Sequence, residues 1–282
     1  MLTLNDYKNK PGRIVRKMQH FGYAANRSLY WEWTNPKNFG DWIGPLIFEA
    51  KTGKKPIYSP VYRKVHPWGI FITAGSIMAS ITESEIAMVW GSGIMNSNEN
   101  FKRPRKIFAV RGPFTRSRCI SLGYKCPPCY GDPGILLPEF LKPSNENPIY
   151  KLGIIPHFVD FATAYELFLN NEDVLVIDVR QPVHQVVREI EKCKRTVSSS
   201  LHGLIVSHSY FRPSAWVNFG PTLAGDGVKF ADYFAAAKIS NLPTSTFIDK
   251  GASVEELIAT AEQAPFPNNS TLMRNLLSEC PF

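Results

Sequence analysis

The chain of 282 residues carries 32 Lys and Arg against 24 Asp and Glu, a formal net charge of +8, with 44% hydrophobic and 20% charged residues. That balance fits a folded soluble protein with a sizeable core, one or two domains by length, and excludes a disordered or fibrous chain. No apolar run approaches the roughly 20 residues of a membrane span, and the opening MLTLNDYKNKPGRIVRK lacks the apolar stretch of a secretory signal.

Five cysteines, an odd number, point to reduced thiols and a cytoplasmic setting. Cys126 and Cys129 form a C-P-P-C pair, but a zinc ribbon needs a second pair and a redox motif opens a helix, so two loop thiols are expected and no metal. The excess positive charge implies acidic partners. Nucleic acid is not among those expected, because no helix-turn-helix, zinc-finger or RNP-like signature is present.

In chain order, residues 1–33 combine Lys8, Lys10, Arg13, Arg16, Lys17 and Arg27 with Phe21, Tyr23, Tyr30, Trp31 and Trp33. Two readings stand: a patch for an anionic membrane surface, or a solvated first helix followed by core aromatics. Asp41 is expected to cap a helix whose Trp42, Ile43, Leu46 and Ile47 share a face and which stops at Gly53. GIFITAG (69–75), EIAMVWG (85–91) and KIFAVRG (106–112) are strand-like runs ending in glycine. RGPFTRSR (111–118) starts a helix at Pro113 that stops near Gly123.

A Pro-rich join, PEFLKPSNENP (138–148), separates the halves, which gives domains 1–142 and 143–282. Beyond it, strands KLGIIPH, DVLVIDV, RTVSSS and SAWVNFG alternate with helices FATAYELFL, VHQVVREIEKC and LHGLIVSHSY. That alternation predicts right-handed βαβ units and parallel sheets: an α/β protein of two doubly wound, Rossmann-like domains facing a cleft.

In such sheets ligands collect beyond the carboxyl ends of the strands, where helix N-termini offer free N–H groups. Arg111 and Arg116 fall there, as forks for a phosphate or carboxylate. Ser92 and Gly93 of GSG are expected to bring amides near an anion. Asn38, Gly40 and Asp41 of NFGD line the same edge, while GDPG (131–134) reads as turn chemistry. His157 ends a strand. Ser199 and Ser200 end another, with His202 in the next helical turn. His208 lies about 240° round that helix from His202, so the two cannot pair; His202 is the acid/base candidate and His208 a structural residue. Lys229 opens the helix of KFADYF, near the cleft.

Taken in order, NFGD, VWGSGI, AVRGPFTR, YGDPGILLP, IIPHF, SSSLHGLIVSHSY and KFADYF resemble the polysaccharide pyruvyltransferase family, and within it the xanthan-type ketal-pyruvate transferases. The resemblance implies a GT-B-like pair of domains, phosphoenolpyruvate as donor, a polyprenyl-diphosphate-linked oligosaccharide as acceptor, a cyclic pyruvate ketal as product, and no cofactor. It implies His202, then His157, as catalytic residues. Arg111, Arg116, Lys229, Ser199, Ser200, Ser92 and Gly93 would meet the donor, and Asn38, Gly40 and Asp41 would line the cleft. Some members carry an arginine where this chain has Ser200, so a donor cation must come from elsewhere. The expected location is cytoplasmic, peripheral on the inner face of a bacterial membrane, with the N-terminal segment and the tail beyond about residue 240 facing lipid or acceptor. A sugar-nucleotide glycosyltransferase on the same architecture is the alternative.

Overall fold

The computed structural model describes residues 27–35, 37–61, 69–220, 225–249 and 251–282. Two five-stranded sheets are present, every pairing parallel. The first holds β1 (Ser28–Tyr30), β2 (Ile57–Tyr58), β3 (Ile70–Ile72), β4 (Ala87–Trp90) and β5 (Lys106–Ala109) in the order β2-β1-β3-β4-β5. The second holds β6 (Leu152–Ile155), β7 (Val174–Val176), β8 (Thr196–Ser198), β9 (Ser214–Asn218) and β10 (Thr246–Phe247), and from its β7 edge reads β7-β6-β8-β9-β10. Both halves thus use the 2-1-3-4-5 order of doubly wound sheets, whose ligand crevice opens between the first and third strands. In the first half that crevice is bordered by the ends of β1 and β3; in the second, by the ends of β6 and β8.

The helices that matter for the site follow strands. They are α1 (Phe39–Thr52), α2 (Pro113–Ser121), α3 (Leu137–Phe140), α4 (Phe161–Phe168), α5 (Val183–Glu191), α6 (Leu201–Ser209) and α7 (Val228–Ala236); α8 (Val254–Gln263) and α9 (Ser270–Ser278) close the chain. α5 shows why the pattern was readable: Val183, Val186, Val187 and Ile190 are its buried stripe, spaced at i, i+3, i+4 and i+7. α1 differs from expectation at its start. Asn38, not Asp41, is the N-cap, accepting the Gly40 N–H at 3.1 Å, so Asp41 lies in the first turn and its carboxyl is released from capping.

The halves share one core. Phe39, Ile43, Trp90 and Ile135 of the first half are in one buried cluster with Val186, Leu204, Ile205 and Phe234 of the second. Residues 141–149, which carry no helix or strand, run between the sheets.

The described parts of both chain ends pack against the body of the protein. Ser28–Tyr30 forms β1, hydrogen-bonded on both sides, and Trp31 packs on Trp42 and Tyr58 in a small buried cluster. These are core aromatics, because an inner strand must bury its side chains on both faces. Lys8, Lys10, Arg13, Arg16, Lys17, Phe21 and Tyr23 lie outside the described residues. At the other end, Phe282 sets its ring against Phe48, Phe71 and Trp90 at 5.0–5.4 Å, and Trp90 Nε1 donates to the Leu276 carbonyl. The last helix therefore returns to the first half. Among the described residues, no helix is long and apolar enough to cross a membrane.

Candidate active site

Serines and a histidine at the end of β8 build the second half of the site. Ser200 caps α6, its Oγ accepting the Gly203 N–H, and is buried in that role. Ser199 Oγ donates to Asp160 Oδ2 at 2.9 Å and accepts the His157 N–H at 2.8 Å, which ties the end of β6 to the end of β8. His202, in the first turn of α6, reaches across to the first half. Its ring lies so close to Gly40 that a Cβ there would stand 1.9 Å from Nδ1, so only glycine admits this contact. Nε2 faces Asp132 Oδ2 at 3.5 Å, in a buried pairing, while Asp132 Oδ1 accepts the Gly134 N–H.

Asp132 thus does two things. The turn reading of GDPG accounts for one oxygen, and the other faces the His202 ring, where neither it nor Nε2 makes a hydrogen bond among the described residues. Asp41 completes this group. It is buried, its Oδ1 lies beside Gly75 at the end of β3, and burial pushes its carboxyl up to about 7, against the opposing pull of His202.

The cations occupy the other end. Arg111 is fully buried; Nη1 donates to Ser76 Oγ, Nη2 to the Ile94 carbonyl, and Nε lies 3.4 Å from Asp232 Oδ2. Gly93 seats the guanidinium, since a Cβ there would stand 2.4 Å from Cζ. The Gly93 N–H is engaged by the Gly75 carbonyl, as is Ser92 Oγ, so GSG serves here as the floor under Arg111. Lys229, buried at the start of α7, is held down to about 8, chiefly by desolvation and then by Arg111. No hydrogen bond or ion pair engages its ammonium among the described residues. His157 is lowered to about 4 by burial and by Lys229, and is neutral at pH 7. Asp160 is raised by burial.

Two expectations about α2 meet a different arrangement. The amides offered to an outside anion are filled from within: Asp232 of α7 accepts the Phe114 and Thr115 N–H groups and the Thr115 hydroxyl, at 2.6–3.1 Å. Gly112, at the cap position, has no side chain to do this, and a carboxylate from the other half replaces it. Arg116 turns its Nε to the Cys126 carbonyl at 3.1 Å, onto the C-P-P-C loop and not into the Arg111–Lys229 group. Within that loop Cys126 is paired with Cys119, whose thiol lowers it, while Cys129 points to the Asn275 carbonyl. Among the described residues, no three His, Cys, Asp or Glu side chains are grouped to hold a metal ion.

His208 is structural. Its Nε2–H donates to the Ser214 carbonyl and its Nδ1 accepts from the Tyr233 hydroxyl, both at 3.1 Å. Full burial depresses it to about 4.

The two groups meet at Gly75 and Ser76, just past β3. The carbonyl of Gly75 holds Ser92 and Gly93, its α-carbon lies beside Asp41, and Ser76 holds Arg111. A single site therefore spans both sheet ends. Asp132, Asp160, Asp232 and Ser76 were not picked out from the sequence as members of it. Position was the one legible signal for Asp132, Asp160 and Ser76, which lie in strand-to-helix turns or at a helix start; Asp232, in the middle of α7, carried none.

Fold and site together define a doubly wound α/β protein that buries cations beside a histidine–carboxylate group where two sheets meet. The chain belongs to the polysaccharide pyruvyl transferase family, whose sequence pattern matches residues 44–221, more than half its length. It is 36% identical over 171 residues to the uncharacterized protein L143 of Acanthamoeba polyphaga mimivirus, a match covering 58% of this chain and 59% of that protein. A solved Klebsiella pneumoniae protein of uncharacterized function, KP1_0663, aligns over 86% of this chain and 100% of its own at 14% identity, with a TM-score of 0.45.

Proposed function

We propose that this site transfers a pyruvyl group from phosphoenolpyruvate to a sugar, forming a cyclic ketal and releasing phosphate. The observation that carries the reading is the division of one site into a cationic end, Arg111 with Lys229, and a carboxylate–imidazole end, Asp41 and Asp132 with His202. The donor has matching halves: phosphate and carboxylate on one side, a methylene carbon that must take a proton on the other. Lys229, without a hydrogen-bonded partner, is the cation that takes the phosphate. It fills the need left by Ser200. Arg111 offers its remaining N–H groups to the carboxylate.

The steps balance. His202 delivers a proton to the methylene carbon, leaving an oxocarbenium-like carbon that one sugar hydroxyl attacks. Phosphate then leaves as its C–O bond breaks, and the second hydroxyl closes the ketal. Of the two hydroxyl protons, one restores the acid and one departs with phosphate. Asp132 orients His202, and Asp41, near neutral in affinity for a proton, is placed to exchange protons with it. His157, neutral at pH 7, is a hydrogen-bonding group in this scheme. The reading includes a GT-B-like pair of domains with the site at their junction. The acceptor is a lipid-linked exopolysaccharide unit at a membrane face.

Donor identity is tested by thermal unfolding. Phosphoenolpyruvate at a large excess over its Kd raises Tm by several degrees, and Lys229→Met removes the effect. Stabilisation by sugar nucleotides in its place supports the glycosyltransferase alternative.

A further inference from the structure

A groove of about 650 Å³ lies between α5 and the coil that joins the two sheets. The coil is held over the helix by the Ser144 N–H, which donates to Glu191 Oε1 at 2.6 Å. Along α5, His184, Arg188 and Lys192 stand at i, i+4 and i+8, a row about 12 Å long on one face. Lys142 joins them from the coil wall. All four are exposed, and none of their side chains makes a hydrogen bond or ion pair among the described residues.

The helix dipole explains cations in the last turn, where Arg188 and Lys192 lie. It does not explain Lys142 on the opposite wall, nor a concavity between the two. Glu146 and Glu191 also line the groove, but Glu191 is buried and tied to Ser144, so the open surface is net positive. Leu141 and Val187 supply an apolar floor.

We propose that this groove is a second anion site, for a diphosphate or two neighbouring phosphates. A guanidinium fork, two ammonium groups and an imidazole spread over such a length exceed what one phosphate can engage. A soluble diphosphate and the phosphates of a lipid surface share this chemistry. None of the donor-site residues takes part.

The test uses the full chain and its Arg188→Gln/Lys192→Gln variant, whose exposed positions leave Tm unchanged. Each is titrated with inorganic pyrophosphate, with Lys229→Met as a control that spares the groove. Each is also floated with vesicles of phosphatidylcholine and phosphatidylglycerol. The expected result is pyrophosphate affinity at least about ten-fold weaker in the double variant and retained in Lys229→Met. Flotation lost in the same variant assigns the site to lipid phosphates. Flotation unchanged or absent, with pyrophosphate binding lost, assigns it to a soluble diphosphate. The proposal is overturned when the wild-type chain binds neither probe, or when neither binding changes in the double variant.

Discussion

The two ends of the candidate site are buried to similar depth and answer burial in opposite ways. At the carboxylate end the proton stays on: Asp41 is raised to about 7 beside His202. At the cationic end it comes off more easily: Lys229 falls to about 8 and His157 to about 4. Desolvation drives both, since it penalises whichever form is charged. The difference gives one end protons to deliver near neutral pH and the other a charge that an incoming anion would stabilise. A ligand with two anionic groups and one proton-accepting carbon fits that polarity in one direction only.

Removing the shared acid should produce the largest effect. His202→Ala is expected to lower turnover by about 10²–10⁴ while the protein stays folded; full turnover in steady-state assays of phosphate release would remove His202 from the chemistry. Asp232→Ala should come next, and on stability. It strips Arg111 of its buried partner and α2 of its cap, a loss of about 3–5 kcal/mol read by urea unfolding. A loss under about 1 kcal/mol would mean that the two halves do not depend on this contact.

Lys229→Met should act on the donor alone, reducing kcat/KM for phosphoenolpyruvate by about 10²-fold. An equal loss for every substrate would point to packing. The last effect is a slope. Asp41 has a folded value of about 7 against an ordinary 3.8, so its contribution to stability is complete below about pH 4 and lost as pH rises through 7. His157 and His208, lowered from 6.5 to about 4, run the other way, with stability present above 6.5 and lost as pH falls through 4. Asp41→Asn should flatten the decline between pH 4 and 7 and leave the acid limb intact. An unchanged profile would show that Asp41 is not the buried acid.

Strand–helix alternation was legible throughout, because α5 and its neighbours write their buried face into the spacing of Val and Ile. The edge rule also found His157, Ser199, His202, Arg111 and Lys229, residues at strand ends or helix starts. What it could not supply was which edges meet. Asp232 lies far along the chain from Arg111, and Asp132 from His202, so each pairing depends on how the two sheets are set against one another. The same limit explains Asp41, whose capping role was plausible until Asn38 was seen to fill it. Short strands were missed where polar or aromatic residues disguise them, as Ser28–Tyr30 does beside a run of basic residues.

Proton delivery to the donor carbon is the account's central claim, and one measurement reads it directly. Phosphoenolpyruvate and extracted lipid-linked oligosaccharides are incubated with the enzyme in heavy water, and the ketal methyl group is examined by mass spectrometry alongside released phosphate. The account predicts one deuterium per methyl, one phosphate per ketal, and loss of both products in His202→Ala. Phosphate released without a deuterated ketal, or the same product formed by His202→Ala, would contradict it.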